Sequence, residues 1–61
     1  MCEFTVILDE GIVFKDAVYA KMKSNNVIVK DVLGNSKEFE NCKIVEVDVN
    51  STRLVLSSIK K

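Results

Sequence analysis

The second residue of the chain is a cysteine, placed directly after Met1. A thiol at that position stands beside the α-amine of the terminus, and the pair is a chelator in waiting. Cysteine is small enough to permit removal of Met1. The amine and thiolate of Cys2 then close a five-membered ring on a metal. With Met1 kept, its amine, the Cys2 amide nitrogen and the Cys2 thiolate form two fused rings instead. Both donor sets combine nitrogen with sulfur and suit a square-planar ion such as Ni(II) or Cu(II). The α-amine titrates at about 7.7–8.0 and the thiol at about 8.5, so metal uptake near neutrality displaces protons and tightens as the pH rises. Without Met1, one terminus supplies only half of a plane. Two termini meeting on a two-fold axis would complete an N2S2 set. The plainer reading is that Cys2 is a small apolar residue continuing a strand face. The residues alone leave both readings open.

Little else in the sequence offers chemistry. Histidine is absent, which removes the commonest general base and the commonest metal ligand. Cys42 has neither a histidine nor a second cysteine near it in sequence. Glu46 and Asp48 share one face of a strand, as a solvated face does, rather than forming an acid–base pair. The two glycines, Gly11 and Gly34, stand singly, so no phosphate-cradling loop exists. A fold of 61 residues also leaves little room for a ligand pocket, which usually exceeds about 300 Å³. No enzymatic activity is expected.

Nine basic residues balance nine acidic ones. Nucleic-acid binding rests on a positive footprint that displaces counterions from phosphate. Here the densest basic groups are only Lys21 with Lys23 and the terminal Lys60-Lys61, so a nucleic-acid partner is not expected. Two cysteines are too few for a disulfide framework. The beginning of the chain carries no Lys or Arg ahead of its apolar residues, and Glu3 and Asp9 interrupt them. No secretory or membrane-spanning segment is expected, and the chain reads as cytoplasmic with reduced thiols.

The elements that position these residues read as strands. Cys2, Phe4, Val6 and Leu8 alternate with Glu3, Thr5, Ile7 and Asp9, the period of a half-buried strand. Asp9-Glu10-Gly11 reads as a turn in which Gly11 takes positive φ. An extended segment follows from Ile12, with Val18, Ala20 and Met22 opposite Tyr19, Lys21 and Lys23. Asn25-Asn26 suits a type I′ hairpin turn before VIVKDV. Gly34-Asn35 marks a second turn, ahead of the short KEFE segment. In CKIVEVDV, Val45, Val47 and Val49 lie on one face, with Cys42, Ile44, Glu46 and Asp48 on the other. A turn at Asn50-Ser51 would pair Val47 with Leu54 and Val45 with Leu56. The expectation is one domain over residues 1–61, all-β, with five or six antiparallel strands closing into a small SH3-like barrel. An open sheet with one helix over EGIVFKDAVYAKMK is the alternative. So small a core is commonly supplemented by self-association, and Ile44 and Tyr19, opposite the inferred core faces, are candidates for that interface.

Taken in order, Met1-Cys2, FKDAVYAKM, VIVKDVLG, KIVEVDV and RLVL resemble the CooT family, small proteins tied to the maturation of carbon monoxide dehydrogenase. The resemblance runs from Met1 to about Leu56. It implies a homodimer of small β-barrels that binds nickel through the cysteine after the initiator methionine, which is Cys2 here, contributed by both copies. It implies an accessory role, holding or delivering Ni(II) for a metalloenzyme client, with Met1 or the terminal nitrogen assisting. Cys42 matches nothing in the motif and inherits no role. Members of the family have also been labelled predicted RNA-binding proteins. The alternative function is therefore an RNA- or protein-interaction module in which Cys2 is structural.

Overall fold

The computed structural model describes residues 3–59. Met1 and Cys2, and the terminal lysine pair, lie outside the described residues. The chain runs through β1 (Phe4–Leu8), β2 (Gly11–Lys23), β3 (Asn26–Asp31), β4 (Ser36–Phe39), β5 (Cys42–Asp48) and β6 (Arg53–Ser58), and the described residues contain no helix. The helix-like stretch of Ala and Lys is the thirteen-residue β2, where Ile12, Val13, Phe14, Val18 and Tyr19 favour the extended chain.

All six strands belong to one sheet in the order β4-β3-β2-β1-β6-β5. The all-β expectation holds, but the antiparallel barrel needs correction on two points. First, β1 and β6 pair in parallel, with Val6 opposite Leu54 and Leu8 opposite Leu56. The long path through β2 to β5 serves as the crossover that parallel neighbours require. Second, no ladder joins the edge strands β4 and β5, so the sheet is not closed. A bond from Cys42 N to Asn25 O at 2.8 Å ties the start of β5 to the β2–β3 turn.

The core is Val6, Ala17, Val27, Val29, Phe39, Cys42, Leu54 and Leu56, with Phe4, Leu8, Val13, Phe14 and Ile44 packed against it. Each fully hidden aliphatic side chain contributes about 1.5–3 kcal/mol, and only Leu56, Val6, Val27 and Val29 are large and almost wholly enclosed. Ile44 is partly buried against the core and not the exposed residue expected of it. Tyr19 is exposed, as expected.

Turn chemistry differs in detail from the sequence reading. Asp9 and Glu10 take positive φ (52° and 68°), while Gly11 opens β2 without it. A two-residue hairpin needs left-handed conformations at both turn positions, and these fall one step earlier than the glycine suggests. The next turn is likewise displaced: Lys23 pairs with Asn26, and Ser24, with φ 55°, turns the chain together with Asn25. Gly34 does take positive φ, at 91°.

Candidate functional site

Of the residues with chemical potential, Met1 and Cys2 lie outside the described residues; the first strand begins at Phe4. Cys42 is fully described and buried, 3% exposed. Its Sγ donates to the carbonyl of Glu40 at 3.3 Å. Cysteine in such a setting is a small hydrophobe closing the core where β5 begins. Among the described residues, no three of the types His, Cys, Asp and Glu gather as a metal site.

The carboxylates of β5 are engaged in structure. Glu46 faces Arg53 at 3.6 Å with both side chains about half exposed, an arrangement that contributes little in water. Asp48 Oδ1 accepts from Ser51 N at 3.3 Å. The Ser51 bonds hold the Asp48 carboxyl below the usual range, with Arg53 adding a smaller pull. Asp31 fixes another turn: Oδ1 accepts from Leu33 N and Asn35 N, each at 2.9 Å, and Oδ2 accepts from the Asn35 side chain at 3.1 Å. These bonds, the Asn35 side chain first, lower the Asp31 pKa. The turn they build carries Leu33 out into solvent, 83% exposed.

The feature that the sequence reading missed is an apolar groove of about 240 Å³, lined by Phe4, Ala17, Val18, Tyr19, Ala20, Ile44, Val47 and Leu54. Two β-bulges shape its walls. Between Ala17 and Tyr19 the β3 partners advance by a single residue, from Asp31 to Lys30, so Val18 is the extra residue. Between Ile44 and Glu46 the β6 partners advance from Leu56 to Val55, so Val45 is extra. A bulge re-aims the side chains that follow it. Ile44 and Val47 are three apart and would face opposite sides of a regular strand, yet both line the groove. The bulge also corrects the expected register. Val47 does pair with Leu54, but Leu56 is opposite Ile44 and not Val45.

No helix among the described residues is long and apolar enough to cross a membrane. The family model described as "CO dehydrogenase accessory protein CooT" matches residues 1–57. No curated protein matches the sequence. A crystal structure of a candidate CooT from Carboxydothermus hydrogenoformans superposes with a TM-score of 0.84 and 14% identity, covering 97% of this chain and 100% of that one. At that identity the likeness speaks for the fold alone. What the sequence match defines is a carbon monoxide dehydrogenase accessory protein, here built on a six-stranded sheet. The chain belongs to the CooT family of carbon monoxide dehydrogenase accessory proteins.

Proposed function

We propose that this chain is a cytoplasmic, homodimeric nickel carrier that holds Ni(II) through Cys2 of each copy and passes it to a metalloenzyme such as carbon monoxide dehydrogenase. The observation that carries the reading is the family match, which begins at residue 1 and so includes Met1 and Cys2. Nickel is cargo here, not a catalytic cofactor, so the ligands must bind it and also release it. Thiolate with a terminal or amide nitrogen suits that task, because protonation of either donor loosens the metal. The burial of Cys42 supports giving the thiol chemistry to Cys2.

The test is Ni(II) titration of untagged protein, wild type against Cys2→Ser. Loss of binding with an unchanged fold is expected. Full-affinity binding by Cys2→Ser would overturn the assignment.

One observation favours a second reading, an interaction module with Cys2 structural. Tyr19 is opposite Lys30 in the β2–β3 ladder, with Lys30 Nζ 5.0 Å from the ring centre, and Lys21 and Lys23 follow on alternate positions of β2. That face is locally basic. A salt-sensitive RNA mobility shift, the same in Cys2→Ser as in wild type, would put this reading first.

A further inference from the structure

We propose that the groove between the bulged segments of β2 and β5 receives the Val32-Leu33 tip of a second copy, so that two chains exchange tips about a two-fold axis. The proposal deepens the dimer of the preceding section and rests on it, but it does not depend on nickel.

The inserted element is visible in the chain itself. Leu33 is the most exposed large hydrophobic residue described, at 83%, and Val32 beside it is 44% exposed. A leucine so placed on a flexible loop would carry no argument, but this one is held. Asp31 accepts three bonds from Leu33 and Asn35, Asp31 N donates to Asn35 O at 2.9 Å, and Gly34 N donates to Asp31 O at 3.1 Å. A tip ordered in advance loses little entropy on docking.

The receiving surface matches it in character. The groove is lined by apolar side chains and one tyrosine, and its volume, about 240 Å³, is below the roughly 300–1,000 Å³ of small-molecule sites. It suits a few aliphatic groups. Val18, Tyr19 and Val47 on its walls are 45%, 44% and 58% exposed, so filling it would hide surface now facing water.

Placement favours exchange with a twin over an open chain of copies. Val32 N donates to Asp16 O at 3.2 Å, and Ala17, the next residue, pairs with Asp31 and lines the groove. Tip and groove are therefore neighbours on one copy. Two adjacent complementary features can satisfy each other reciprocally across a two-fold axis, which closes the assembly at two. A standard interface hides about 800 Å² on each partner, roughly a fifth of the 4283 Å² that one copy exposes. The tip and the groove walls supply apolar area toward that total.

The experiment is sedimentation equilibrium of untagged, metal-free protein: wild type, Leu33→Asp, Val47→Glu, and an equimolar mixture of the two variants. Wild type is expected to dimerise. Two tips are lost per dimer in Leu33→Asp, so its dissociation constant should rise on the order of a hundredfold or more. Because Leu33 is exposed, the variant's circular dichroism spectrum should stay that of a folded sheet, and its melting should fall only by the stability that pairing supplies, so Leu33→Asp carries the test even if Val47→Glu folds poorly. The mixture should pair better than either variant alone, because at one of the two contacts the intact tip of one variant fits the intact groove of the other. Unchanged dimerisation by Leu33→Asp would overturn the exchange and leave the dimer standing. Wild type that pairs only on adding Ni(II) would overturn the exchange and favour metal-driven pairing. A monomer with and without nickel would overturn both.

Discussion

Replacing Cys42 by alanine separates the two thiols. The residue is 3% exposed, sits among the core side chains and gives its Sγ to the carbonyl of Glu40. Alanine removes one buried heavy atom of roughly methylene character, a loss of about 1 kcal/mol before any cavity penalty. The Glu40 carbonyl belongs to an exposed residue, so water can take the place of the weak sulfur donor. For a domain of this size each kcal/mol lowers the melting temperature by about 4–8 °C. Cys42→Ala should therefore melt several degrees lower and bind the same amount of Ni(II) as wild type. Circular dichroism melting and a nickel titration on the same sample read both quantities. Loss of nickel from a folded Cys42→Ala protein would refute the assignment of metal binding to Cys2. An unchanged melting temperature would refute the structural role derived from burial.

A residual tag ahead of Met1 should weaken nickel binding if the terminal amine is a ligand; equal affinity for tagged and untagged protein removes the amine from the site. Nickel affinity should rise with pH up to about 8.5, as the amine and thiol give up protons, and a flat profile from pH 6 to 8.5 would contradict N,S ligation. The Asp31 carboxyl is held below its ordinary 3.8, so its support of the 31–35 turn is complete above that value and is lost as the pH falls through the lowered one. The amide shifts of Leu33 and Asn35 should titrate with a midpoint under 3.8, and a higher midpoint would contradict the bonding described. Leu56→Ala removes one of the most enclosed side chains and should cost about 2–5 kcal/mol, most of the stability expected of a 61-residue fold; a variant with an unchanged urea midpoint would contradict the core.

How far the sequence reaches depends on whether a property is local. The alternation around Phe4, Val6 and Leu8 foretells β1 with Val6 at its buried centre, because side-chain direction in a strand has a strict period of two. Gly34 marks its turn for a similarly local reason. The parallel pairing of β1 with β6 has no local signature, since it depends on where the chain returns after five strands. Nor do the bulges at Val18 and Val45, which are defined only against the partner strand. Each slips the face pattern by one residue, which explains why Ile44 is partly buried against the core rather than facing outward as expected. The groove depends on those same bulges and stayed hidden. The valines at 45, 47 and 49, read as the core face of that strand, are instead 50%, 58% and 62% exposed, and nothing local in the sequence marks them as groove and surface residues. The metal chemistry proposed for Cys2 rests on its place beside Met1 in the sequence.

The most direct test of the nickel-carrier account is native mass spectrometry of untagged protein with and without one equivalent of Ni(II). It reads the state of Met1, the oligomeric state and the metal stoichiometry together. The account predicts a dimer carrying one nickel shared between two Cys2 residues. A monomer, or a dimer that takes up no nickel, would contradict it.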